Sequence, residues 1–150
     1  MIDKIQEVRY TLSFKTIENY EFFLYTLSER FPSIKRSTVT LVKRGASLAR
    51  VSGEINFEKG YRLVVRERLL FHCSPIIINW YGYEIWKEDE KICWYDSQPH
   101  PNDSKLESTF PHHKHIPPNI KRNRIPSQKI SFTQPNFPEL IHEIESLIRK

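Results

Sequence analysis

Cysteine is nearly missing from this chain: Cys73 and Cys93 are the only two, they lie in separate apolar runs, and no C-x-x-C pair exists. That argues against a disulfide framework and fits a reducing cytoplasm. Long apolar runs are missing as well. The longest, around residues 75–83, is too short to cross a bilayer, and the first seven residues carry acids but no apolar stretch of the signal-peptide kind. A cytoplasmic protein without a membrane partner is therefore expected. There is no internal repeat and no low-complexity tract. No H-E-x-x-H pattern occurs either, so no motif points to a metal, and neither metal nor cofactor is expected.

What is present fits one ordinary domain. A chain of 150 residues can bury a core without staples, and residues 1–150 read as a single unit. Lys and Arg number 23 against 18 Asp and Glu, giving a formal charge of +5. The excess suits a polyanionic or acidic partner, although net charge by itself discriminates weakly.

Apolar spacing supplies the elements. Between residues 16 and 31, Ile17, Tyr20, Phe23, Leu24, Leu27 and Phe31 recur at helical intervals before Pro32, which predicts one amphipathic helix. Tyr10, Leu12 and Phe14 alternate ahead of it as a short strand. From Thr38 the period becomes two: runs at 38–43, 49–57, 61–71, 76–86 and 91–96 are separated by turn residues at Gly45, Glu58-Lys59-Gly60 and residues 87–90. Residues 138–150 place Leu140, Ile141, Ile144, Leu147 and Ile148 on one stripe, a terminal helix with Pro138 in its first turn. The fold class is thus α+β, an antiparallel sheet of about five strands with an N-terminal and a C-terminal helix. Residues 97–126 break every period and hold prolines at 99, 101, 111, 117, 118 and 126, which reads as a long functional loop that the prolines stiffen.

Chemistry concentrates in that loop. Four of the six histidines, His100, His112, His113 and His115, fall inside it. Histidine titrates near neutrality, so such a cluster can supply both a general base and a general acid. A polar surface loop is the bland alternative. A metal site is another: His113 and His115 would share a face of an extended segment, with His100 or Asp96 as a third ligand. Glu67 is a second candidate, because alternation puts this carboxylate on the apolar face of its strand, where it needs a partner. That partner could be structural, such as Arg50 on a neighbouring strand. Two tracts without acids, residues 30–53 and 108–138, hold Arg50, Lys114, Lys121, Arg122 and Arg124. With Tyr81, Tyr83, Trp86 and Trp94 available for stacking, they suit single-stranded RNA. Trp80 and Trp86 are also expected in the core.

The pattern Gly53-x-Ile55-x-Phe57-x-x-Gly60-x-x-Leu63-x-x-x-Glu67 is followed by Tyr81-x-Tyr83, by Tyr95-Asp96-x-x-Pro99-His100, and by Thr109-Phe110-Pro111-His112-His113-Lys114-His115. With these residues, over roughly its central half, the chain resembles the TumE family. It departs from the family pattern at Ser97, where an Asn is usual, and at Pro101, where a second His is usual. The resemblance implies the toxin half of a type II toxin–antitoxin pair, ribonuclease-like, on a compact antiparallel fold similar to RelE-type toxins. Its partners would be RNA and a cognate antitoxin, expected to be acidic. On that footing the expected catalytic set is Glu67, Asp96, His100, His112, His113 and His115, acting without metal. The expected RNA contacts are Arg50, Tyr83, Lys114, Lys121, Arg122 and Arg124. A non-catalytic RNA- or ribosome-binding module and a metal-dependent phosphoester hydrolase are the competing readings.

Overall fold

The computed structural model describes residues 12–150. Helix α1 spans Ile17–Tyr25 and opens where the Thr16 side chain accepts a hydrogen bond from the Asn19 amide. The expected single helix is in fact two, because α2, Leu27–Arg30, is set off by Thr26, whose backbone leaves helical geometry. The Thr26 hydroxyl donates back to the Phe22 carbonyl at 2.7 Å, a local bond that competes with the helical ladder. Tyr10 of the expected first strand lies outside the described residues. Leu12 and Ser13 are helical rather than extended, and Phe14 sits in a turn.

The sheet has eight strands rather than about five. They are β1 Arg36–Ser37, β2 Thr40–Arg44, β3 Leu48–Asn56, β4 Tyr61–Leu70, β5 Ile77–Lys87, β6 Glu90–Asp96, β7 His113–His115 and β8 Arg124–Pro126. All pairings are antiparallel, in the order β1-β3-β4-β5-β6-β7-β8, with β2 also on β3. The five long strands and their turns fall close to where alternation put them. The three additions are two or three residues long, too short for a period to register. Two of them, β7 and β8, come from the proline-rich segment, so that segment is partly sheet. A 3-10 turn, Ser104–Thr109, orders another part of it.

Alternation sorts the two faces. Odd positions of β4 and β5, among them Leu63, Val65, Leu69, Tyr81, Tyr83 and Ile85, point into the core. Helix α1 covers that face together with α3, Phe137–Arg149, through Tyr20, Phe23 and Leu24 on one helix and Phe137, Leu140, Ile141 and Ile144 on the other. Even positions of the same strands form the opposite, open face: Arg62, Val64, Arg66 and Arg68 stand beside Trp86, Glu84, Gly82 and Trp80 in register. Trp80 and Trp86, expected in the core, therefore lie half-buried on the open face. They are capped there by Arg68 at 4.9 Å and Arg62 at 4.6 Å from the ring centroids. None of the described helices is long and apolar enough to cross a membrane.

Gly53 marks the point where the edge of β3 changes partner from β2 to β1. Its φ is +145°, and a Cβ there would lie 2.6 Å from the Thr38 carbonyl oxygen. Both strain and overlap oppose any side chain, so Gly53→Ala is expected to lower the unfolding free energy by about 2 kcal/mol or more. The measurement is the urea midpoint at unchanged slope, and an unshifted midpoint would disprove the close approach.

Candidate functional site

Pairing of β6 with β7 sets Asp96 opposite His113 and Trp94 opposite His115. Since directly opposed residues share a face, all four side chains stand on the open side of the sheet. The Asp96 carboxylate meets both imidazoles: His113 Nε2 lies 2.8 Å from Oδ1 and His115 Nε2 lies 3.2 Å from Oδ2. It also accepts from the Trp94 indole at 2.9 Å and the Gln98 amide at 3.0 Å. The far nitrogens are anchored in turn, His113 Nδ1 to the Pro111 carbonyl at 3.0 Å and His115 Nδ1 to the Ile120 carbonyl at 2.6 Å. A carbonyl only accepts, so each Nδ1 carries the hydrogen and each Nε2 is aimed at the carboxylate. The two Nε2 atoms are 3.2 Å apart.

Both rings are buried, at 1% and 3% exposure, whereas the Asp96 side chain is 19% exposed and opens the cluster to solvent. His100 stands edge-on to His113 with ring centroids 4.9 Å apart. Arg124 enters from β8, in register with His115. Its Nε is buried without a hydrogen-bond partner, and no ion pair engages its guanidinium among the described residues. An unpaired guanidinium beside three histidines is an invitation to an anion.

The charges follow from this packing. Burial would raise the Asp96 carboxyl, but hydrogen bonds from His113, His115 and Trp94 outweigh it and hold the group well below the usual carboxylate range. His100 is lowered by burial and then by the neighbouring Arg124 and His113, which favours its neutral form.

The remaining expected residues go elsewhere. Glu67 is 2% exposed, on the core side, where it accepts from the Tyr20 hydroxyl at 2.6 Å and from the Tyr83 hydroxyl. The ion pair with Arg50 does not form, because Arg50 opposes Arg68 and is exposed on the other face. Tyr83 is fully buried and receives a hydrogen bond from the Asn136 side chain at 2.9 Å, so its ring offers RNA nothing. His112 lies on the covered side as well: its Nδ1 shares a 2.7 Å hydrogen bond with the Tyr81 hydroxyl, and its ring stacks on Tyr81 at 5.7 Å. Burial and the neighbouring His113 lower its pKa. Lys114, one residue out of phase with its flanking histidines, pairs with Glu143 of α3. Lys121 and Arg122 are exposed in the turn between β7 and β8.

A comparison with protein families gives one match. The family model described as Toxin TumE matches residues 24–148, from α1 through α3. The chain belongs to the TumE toxin family. No curated protein and no solved structure matches it. Membership carries a toxin role, and a toxin of this family implies a cognate antitoxin as partner. The TumE match extends well past the central motifs and takes in α2, β1, β2 and nearly all of α3, together with the last two residues of α1. Periodicity marked Tyr20 only as part of a helical stripe and residue type marked Trp94 only as a stacking candidate, while nothing marked Asn136. Only Trp94 had a readable signal for its place in the site, since it shares the face of Asp96 two residues away.

In this TumE toxin Glu67 reads as a structural hub with a titration of its own. Burial raises its carboxyl from the ordinary 4.5 to about 7, against the hydrogen bonds from Tyr20 and Tyr83 that lower it. The folded chain thus holds the proton more tightly than the unfolded one. Its stabilising effect is complete below about pH 4.5 and is lost as pH rises toward about 7, on the order of 3 kcal/mol in all. Glu67→Gln is expected to remove that slope between pH 5 and 7.5. Urea unfolding across this range checks it, and an equally steep slope in the variant would exclude Glu67 as the source.

Proposed function

We propose that this toxin is an endoribonuclease that cleaves RNA by metal-independent acid–base chemistry at His100, His113, His115, Asp96 and Arg124. The observation that carries the reading is an anchored histidine pair on one carboxylate beside a half-buried arginine whose Nε has no partner among the described residues. Cleavage of this kind removes a proton from the 2′-hydroxyl, whose oxygen attacks the adjacent phosphorus. The P–O5′ bond breaks and the leaving oxygen takes up a proton, giving a 2′,3′-cyclic phosphate and a 5′-hydroxyl end. His100, favoured neutral and partly exposed, is the base. The proton comes from the His113–Asp96 pair, with the protonated His113 Nε2 passing it to Asp96 Oδ1, the member that reaches solvent, and Asp96 passing it to the leaving oxygen. His115 and Trp94 fix Asp96, and Arg124 stabilises the charge that builds on the phosphorane oxygens. We place this chemistry on a RelE-like scaffold, for which an antiparallel sheet with a C-terminal helix is the support.

A divalent-metal hydrolase is a second reading with its own observation. The ligand atoms of Asp96, His113 and His115 lie within 4.8 Å of one another, and carbonyl-anchored Nδ1 atoms are the usual outer support of metal-binding imidazoles. Two of the contacts to Asp96, from the Trp94 indole and the Gln98 amide, are donors in every state, whereas Nε2 of His113 and His115 donates to it only when the rings are protonated; an ion would take the place of those two protons.

His100→Ala and His113→Ala are each expected to slow cleavage by about 10²–10⁴-fold, and Arg124→Ala by about 10²-fold or more. RNA ends are mapped after induction in a heterologous bacterium and with purified protein after dialysis against a chelator. Cyclic phosphate ends that persist after chelation support the acid–base route. Activity lost on chelation and restored by zinc or manganese would transfer the function to the metal reading. Full cleavage by His113→Ala would end both.

The antitoxin is proposed to be acidic and to cover the exposed Lys121 and Arg122 and the half-buried Arg124 beside the site. Lys121→Glu with Arg122→Glu should then weaken the toxin–antitoxin complex by roughly tenfold or more at low salt. Unchanged affinity by calorimetry would place the antitoxin on another surface.

A further inference from the structure

Between the cations of the open face lies a recess of about 170 Å³. Trp80 and Trp94 wall it, Gly82 forms its floor, Arg66 stands at its rim together with Lys91 and the Glu84 carboxylate that Lys91 pairs with at 3.6 Å, and Asp96 closes the end nearest the histidines. Its existence depends on a missing side chain. Gly82 sits in the middle of β5, opposite Arg66 on one neighbour and Asp96 on the other, where any larger residue would project into the space. A Cβ placed there would meet only the Trp80 ring, at 3.5 Å, which is ordinary contact. Backbone crowding therefore does not require the glycine. The open recess does.

Its walls suit a flat aromatic guest. Trp94 is locked by its hydrogen bond to Asp96 and packs on the His115 ring with centroids 4.1 Å apart, so wall and reaction centre are rigidly joined. Lys91 sits 4.2 Å from the Trp94 centroid and Arg68 4.9 Å from that of Trp80. Arg66 makes no hydrogen bond or ion pair among the described residues, and Arg50 continues the row of cations onto β3. Two indoles on a solvent-facing sheet, interleaved with unpaired arginines, combine base stacking with backbone charge in the way single-stranded nucleic acid requires. A duplex keeps its bases stacked inside and could not enter.

We propose that this recess takes one unpaired base of an RNA strand, laid against Trp80 over Gly82 with Trp94 as the far wall, and so sets the neighbouring phosphate beside His100 and Arg124. The inference rests on the endoribonuclease reading for its substrate, and adds to it that the substrate is single-stranded and that recognition is by one base.

The test uses the full chain and a fluorescein-labelled hexauridylate made uncleavable by 2′-O-methylation. Binding is followed by anisotropy while an abasic unit is moved along the strand. One position is expected to lose about tenfold in affinity and the others little. Gly82→Leu, which fills the recess, and Trp80→Ala, which removes a wall, should each weaken binding five- to tenfold, with melting curves confirming that at least one of them is folded. A duplex of the same length should bind at least tenfold more weakly. If a folded recess variant binds as tightly as wild type while Arg124→Ala does not, the slot is overturned and the nuclease reading stands. If the recess variants and the abasic scan behave as expected but wild type leaves cleavable RNA intact, the slot stands and the nuclease reading falls.

Discussion

The Asp96 carboxylate is where the geometry of the site converges. Its two oxygens accept from the Trp94 indole and the Gln98 amide and meet Nε2 of His113 and His115, which donates when the rings are protonated. A partly buried anion with such partners is stable as an anion, and each partner is held in a single orientation in return. His113 and His115 belong to β7, Trp94 to β6, and Gln98 to the chain that leaves it. One side chain thus ties the last long strand to the short strands beyond it, and those strands exist mainly to bring histidine and Arg124 alongside.

On the other side of the sheet a second carboxylate plays a different part. Glu67 joins Tyr20 of α1 to Tyr83 of β5, and Tyr83 joins Asn136 at the start of α3. A buried polar network satisfied at every member fixes how the helices sit on the sheet. Tyr81 carries the contact further, stacking on Tyr83 at 4.9 Å and on His112 at 5.7 Å. His112 therefore joins the core while its neighbour His113 joins the Asp96 cluster. The two carboxylates show how burial and partners set opposite charge preferences: Glu67, with two hydroxyl donors and no cation, is pushed up to about 7, whereas Asp96, among imidazoles, is held low.

Much of this was legible in the residues. The period of two across residues 49–57, 61–71 and 76–86 located β3, β4 and β5, and it exposed Glu67 as a carboxylate on the apolar face. Crowding of histidine between residues 100 and 115 marked the segment that builds the site. Less legible was the division of labour inside that segment. His112, His113, Lys114 and His115 are consecutive, and which of them face Asp96 depends on the register of the short strand. A three-residue strand has no period from which to read it. Trp80 was assigned to the core on residue type, which cannot tell a covered face from an open one when both are lined with aromatics.

The sequence by itself determined the class of fold, the long strands and their turns, the C-terminal helix, and the resemblance that the family match bears out. Each is encoded locally, in a repeat of side chains along one strand or helix or in a short ordered motif. Tertiary structure decided that Asp96, His113, His115 and Arg124 form one cluster, that Glu67 and Tyr83 belong to another, and that Lys114 pairs with Glu143. It also opened the recess over Gly82. These are contacts between strands distant in sequence, and a shift of one residue in register sends every side chain of a strand to the opposite face.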